Sequence, residues 1–155
     1  RMLQIVSGAC LFVVSGLLVL FGSMVVWDIE GTSRNAGIAL DNPAVMSEYA
    51  KLGLFHGMRM FGAAAISAGV TFVALGRTNI TFIVSACLFA FLASEERVCL
   101  DLMPTIEGTS EQHLAAVQDG RNLMDAGTVV SLVGLCATAL SGSSSFTQKA
   151  KAKSM

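Results

Sequence analysis

The sequence predicts an all-α integral membrane protein: a bundle of four transmembrane helices, both termini on the inner side, two acidic loops facing outward. Three observations carry this prediction. The 155-residue chain is 54% hydrophobic and only 14% charged, whereas soluble domains carry roughly 25% charged residues; its mean hydropathy is +0.67. The apolar residues gather in four runs separated by polar stretches. The charges divide with the runs. In this arrangement all eleven acids lie on one side, and Arg1, Arg77, Lys149, Lys151 and Lys153 stand on the other, which the positive-inside rule assigns to the cytoplasm, matrix or stroma.

The first run, 3–26, contains no ionisable group except Cys10 and at about 1.5 Å per residue is long enough to cross a hydrocarbon core of ~30 Å. Trp27 follows as an interfacial aromatic, then Asp28 and Glu30. The run exceeds the apolar core of a signal peptide, roughly 7 to 15 residues, and no small-residue cleavage pattern closes it, so it reads as a retained span. The start on Arg1 rather than Met reads as processing after a targeting presequence.

Residues 31–41 are polar and contain glycine, and read as a loop. Asn42 and Pro43 then supply an N-cap and a first helical proline, whose missing N–H costs nothing there. The helix begun at that point is expected to run through VMSEYAKL into the second span, 52–75, projecting from the membrane with Glu48, Tyr49 and Lys51 as a docking surface. Gly76, Arg77, Thr78 and Asn79 form a short reversal. The third span, from Ile80, stays apolar for about 15 residues, only ~22 Å, so its helix is expected to continue through Glu95, Glu96 and Arg97 to about residue 98. Residues 101–111 read as a second outer loop. The fourth span is 122–140, with the amphipathic run HLAAVQDGR before it. The serine- and lysine-bearing tail, 142–155, reads as flexible and surface-exposed.

The second span holds the ionisable residues of most interest, His56 and Arg59. Counting outward from the 76–79 reversal places Arg59 at the depth of Glu96. A lone arginine in hydrocarbon costs at least ~2.5 kcal/mol, so Arg59 is expected to meet Glu95 or Glu96 within an outer-leaflet cluster that also includes Arg121, Asp125 and His56. An ion-pair clamp on helix register is the first reading of this cluster. A proton or ion relay, or a site for a lipid headgroup or quinone, is the second, and Arg59 snorkelling to water is the third. The inner halves of the spans offer little beyond Ser, Thr and Cys, which argues against a pump or channel.

His56 is a candidate axial ligand for a chlorophyll, with lipid the other possible bound group. Haem held by two histidines is disfavoured, because the only other histidine, His113, falls near a loop. The fragments HGMRM and DGRNLM faintly resemble the His-x-Arg and Asn-Gly-Arg helices of light-harvesting proteins. Neither fragment carries the glutamate that pairs the arginines there, and His56 to Arg59 is one residue wider, so membership is not read from them. Cys10, Cys87, Cys99 and Cys136 have no metal-ligand spacing, and no nucleophile and base pair, phosphate loop or nucleic-acid-binding pattern is present.

The spans do show small residues four apart: Gly53 and Gly57, Ala65 and Gly69, Ala86 and Ala90, Gly134 and Thr138. Such stripes let helix backbones approach closely in lipid. Together these features predict a non-catalytic accessory subunit of a larger membrane complex, with other membrane subunits and lipids as partners and no nucleic acid. The organellar energy-transducing membranes, thylakoid or mitochondrial inner membrane, are its expected home, in a photosystem or a respiratory or ATP synthase assembly. A module binding pigment, lipid or quinone at His56, and a small ion or solute transporter, stay open as alternatives.

Overall fold

The computed structural model describes residues 1–41, 46–105 and 109–142, which form five α-helices and one 3-10 turn, with no strand among them. Helix α1 is Met2–Trp27, α2 Ile29–Asn35, α3 Glu48–Leu75, α4 Asn79–Leu102 and α5 Glu111–Leu140; the 3-10 turn, Met103–Thr105, follows α4. Helices α1, α3 and α5 are each long and apolar enough to cross a membrane. In α4, Glu95, Glu96, Arg97 and Asp101 break the apolar sequence after Ser94 while the helix continues to Leu102.

Capping chemistry sets the helix starts. Ser47, Thr78 and Ser110 precede α3, α4 and α5, and their hydroxyl oxygens accept hydrogen bonds from the backbone N–H of Ala50, Thr81 and His113, each satisfying one of the donors that a helix leaves open at its first turn. The expected start of α3 at Asn42 and Pro43 is therefore corrected to Glu48; residues 42–45 lie outside the described ones. The stretch expected to be a loop from Gly31 is corrected too. Asp28 caps a short helix there by accepting from Gly31 N–H, and Ile29 and Ser33, four residues apart, turn inward and are buried. The tail at 143–155 also lies outside the described residues.

Packing is pairwise. Helix α1 lies along α3 and α5, and α4 lies along α5, whereas α3 and α4 make no comparable contact although only residues 76–78 separate them. One buried cluster nevertheless draws on all four long helices: Val14 and Leu18 of α1, Ala65 and Phe72 of α3, Phe89 and Ala93 of α4, and Met124 of α5.

Glycine makes the close approaches possible. A Cβ built on Gly62 would lie 2.8 Å from the carbonyl oxygen of Gly22, and one on Gly69 would lie 2.8 Å from that of Ser15, so α1 and α3 touch backbone to backbone. On α5, the rings of Phe89 and Phe82 lie flush against Gly127 and Gly134. Buried hydroxyls add cross-helix hydrogen bonds: Ser7 with Thr138 at 2.7 Å, and Ser85 with Ser131. Because Ser131 donates to the carbonyl of Gly127, its oxygen accepts from Ser85. Bonds of this kind average about 0.6 kcal/mol in membrane helices, so shape does most of the positioning.

Of the eight residues expected to pack helices, Ala65, Gly69, Ala86, Gly134 and Thr138 are buried, whereas Gly53, Gly57 and Ala90 face outward. Nothing lies within 4 Å of a Cβ built on Gly53 or Gly57. Gly62→Val and Gly127→Val are therefore expected to destabilise the folded protein by about 1–3 kcal/mol through overpacking. Gly53→Ala and Gly57→Ala are expected to be neutral or to stabilise by up to about 1 kcal/mol through helix propensity. Thermal or denaturant unfolding in detergent micelles, followed by circular dichroism, checks both pairs.

Candidate functional site

The close contacts fix a register, and the register fixes the relative level of every side chain. Along α4 and α5, Phe82 faces Gly134, Ser85 faces Ser131, Phe89 faces Gly127 and Glu96 faces Gly120. Gly62 of α3 meets Val25 and Val26 of α1, and Gly69 meets Ser15, Leu18 and Val19. Ser7 and Thr138 tie α1 to α5.

Two levels follow. At one end the 76–78 turn lies beside Gly8 and Thr138, with the Arg77 Nη1 donating to the carbonyl of Gln4 at 2.7 Å. At the other end Trp27, Arg59, Val98 and Gln118 come level. The two levels are about 28 Å apart at 1.5 Å per residue, close to the ~30 Å thickness of a bilayer core. Trp27 is 77% exposed at the second level, as an interfacial tryptophan would be.

The sequence-derived cluster separates on this scale. Arg59 lies at the Trp27 level and is exposed. Glu95, Glu96 and Arg121 lie about 3 to 5 Å further in, and Asp125 about 10 Å further in. Arg59 and Glu96 thus share a level to within a turn but not a site, since Arg59 is on the flank of α3 turned away from α4. No hydrogen bond or ion pair joins Arg59, His56 or Glu95 to any described residue. The one pair formed within the set is Arg121 Nε with Asp125, four residues on along α5, at 3.6 Å, with side chains 29% and 50% exposed. Glu96 is half-buried against Gly120. His56 is exposed about one turn beyond Arg59.

Beyond the rim, α2 and the residues after it form a cap held by the first turn of α5. Ser110 Oγ donates to the carbonyl of Gly37 at 3.1 Å, Gln112 Nε2 to that of Asn35 at 3.3 Å, and the His113 Nδ1–H to that of Ala36 at 2.7 Å. Gly37 has a φ of 75° and passes so close to α5 that a Cβ would sit 2.7 Å from His113 N. Within the cap Arg34 makes two hydrogen bonds to Asp41, at 2.6 and 3.2 Å; that hydrogen bond, with the charge of Asp41 and of nearby Glu30, pushes the guanidinium pKa up. Sequence reasoning missed this clamp because its acceptors are backbone carbonyls. The one legible signal was Ser110 three residues before His113 at the head of an amphipathic run.

Among the described residues no group of three or more His, Cys, Asp and Glu side chains converges to hold a metal ion. Cys10 is buried and Cys87, Cys99 and Cys136 are exposed, all as free thiols.

His113→Ala with Gln112→Ala is expected to raise backbone hydrogen exchange across residues 35–40 by at least about tenfold, because two hydrogen bonds of roughly 1 kcal/mol each are lost, while α1, α3 and α5 stay protected. Mass-spectrometric hydrogen exchange reads this directly. No family model, no curated protein sequence and no solved structure matches this chain.

Proposed function

We propose that this chain is a non-catalytic membrane subunit: a four-helix transmembrane bundle with both termini and the 76–78 turn inside and the α2 cap outside, acting as an accessory component of a larger membrane complex. Arg1 and Arg77 stand without an acid at one end, whereas at the other Arg34, Lys51, Arg59, Arg97 and Arg121 share the level with Asp28, Glu30, Asp41, Glu48, Asp101 and Glu111; this orientation takes the acid-free basic end as the inside. Helix α4 crosses with the others because it pairs with α5 along most of its length and brings Phe82 and Phe89 into the common core.

The observation that carries the subunit reading is the outer face of α3. Gly53, Gly57, Ala63, Ala64, Ser67, Thr71 and Ala74 are all exposed, so one side of the helix is rich in small residues, broken by the exposed side chains of Met60 and Leu75. Lipid tails gain little from such a surface, whereas a neighbouring helix can approach it closely and gain van der Waals contact. An energy-transducing organellar complex is the assembly this reading favours. A second reading places a pigment or lipid at His56, whose ring is exposed and makes no hydrogen bond to a described residue.

Extraction from native membranes in mild detergent, followed by native electrophoresis and mass analysis, is expected to show the chain migrating in an assembly several times its own 16.2 kDa. A free chain of that mass would refute the subunit reading, and an absorbance spectrum on the same sample tests for pigment. For orientation, a membrane-impermeant maleimide is expected to label Cys99 from the outside of sealed vesicles, and an introduced Arg77→Cys only from the inside.

A further inference from the structure

The outer end of α3 carries cations that nothing in the described chain answers. Lys51, Phe55 and Arg59 stand four residues apart and so form one ridge along the helix. The Lys51 ammonium lies over the Phe55 ring, 6.0 Å from its centroid, in cation–π contact that holds it on that ridge. Cα–Cβ bonds tilt toward a helix N-terminus. The N-terminus of α3 is its outer end in the membrane orientation proposed above, on which this reading rests, so Arg59 sets off outward toward the same ring. The two Cα atoms are about 12 Å apart along the axis, a span that two long side chains reaching in from either end of the ring can close on one anion. His56 stands beside them, three residues before Arg59. None of the three cationic or titratable side chains is hydrogen-bonded or ion-paired with a described residue. The neighbouring acids are engaged elsewhere: Asp28 accepts from Gly31 N–H, and Asp41 and Glu30 hold Arg34. Glu48, in the first turn of α3, makes no ion pair with Lys51.

We infer that this ridge binds the phosphate of an anionic phospholipid in the outer leaflet. Level selects a lipid. Arg59 is level with Trp27, whose 77% exposure marks the boundary between hydrocarbon and headgroups, and lipid phosphates lie just above that boundary. A guanidinium there without a carboxylate partner is costly unless it reaches an anion or water. Its fork matches two phosphate oxygens, and Lys51 adds a point charge. Two full positive charges favour a headgroup of net negative charge over a zwitterionic one, whose own ammonium they repel. The surface below accepts the acyl chains: Ile66 and Val70, seven and eleven residues after Arg59, share its flank, Val70 being 57% exposed, and Val19 and Val26 of α1 close the seam beside Gly69 and Gly62. Arg97 of α4 is also exposed near the rim, but it stands between Glu96 and Asp101 in the sequence and is the natural control.

The test reconstitutes the full chain in nanodiscs of mixed phosphatidylglycerol and phosphatidylcholine, and native mass spectrometry identifies the lipid retained on release into mild detergent. Retained phosphatidylglycerol is expected to exceed phosphatidylcholine by at least about tenfold, and Arg59→Gln and Lys51→Gln each to lower that ratio about fivefold, the worth of one cation at an anionic surface. Arg97→Gln is expected to leave it unchanged. Trp27, the one tryptophan of the chain, gives a second reading in the intact bilayer. Brominated phosphatidylglycerol is expected to quench its fluorescence more than brominated phosphatidylcholine at equal mole fraction, and the double variant Arg59→Gln with Lys51→Gln to remove the difference. A wild-type chain that lacks either preference overturns the inference, as does a preference that the double variant keeps or that Arg97→Gln lowers equally. Inorganic phosphate that binds in phosphatidylcholine discs without any lipid preference overturns it too and assigns the ridge to a soluble anion. The wild-type readings decide the matter even if a variant fails to fold. An absent preference leaves the subunit reading standing, and a chain that holds the lipid but joins no larger assembly refutes that reading alone.

Discussion

Contact between helix backbones at Gly22, Gly62 and Gly69, and between phenylalanine rings and the α5 backbone at Gly127 and Gly134, is the constraint on which the rest of this structure depends. None of these sites tolerates a Cβ without a shift, so neither α1 against α3 nor α4 against α5 can slide by a turn without a clash. A fixed register is what makes level a property of each residue. It brings Trp27 beside Arg59, the 76–78 turn beside Gly8, and Asp125 two turns below the rim. In a medium where apolar burial gives helices no net reason to associate, steric fit of this kind replaces the hydrophobic effect as the organising force.

Much of the architecture was legible in the sequence because hydropathy reports it directly. An all-helical chain with long apolar helices follows from composition and from runs such as 3–26. What could not be read was azimuth. Residue counting places Arg59 and Glu96 at one depth, but a helix turns 100° per residue, and only packing decides which way each side chain faces. Gly53 and Gly57 look the same in sequence as Gly62 and Gly69, yet the first two face outward and the second two touch α1. Small-residue spacing shows that close approach is possible without naming the helix that approaches.

The short helix α2 escaped sequence analysis for a different reason. Its seven residues, IEGTSRN, have no periodic apolar face and include glycine, so propensity argues for a loop. Asp28 at the N-cap, Thr32 Oγ1 donating to the carbonyl of Met24 at 3.2 Å and the inward turn of Ile29 and Ser33 override it. Tertiary context of this kind leaves almost no trace in a single sequence.

The turn at residues 76–78 has a consequence for how the molecule is put together. It joins α3 to α4, two helices that do not pack on each other, so it is a tether between two helix pairs rather than the bend of one hairpin. The first pair, α1 with α3, can complete its contacts before α4 leaves the ribosome. The second pair, α4 with α5, is built from consecutive segments and meets α1 through α5. The covalent link at 76–78 keeps the two helix pairs in proximity and shapes neither one.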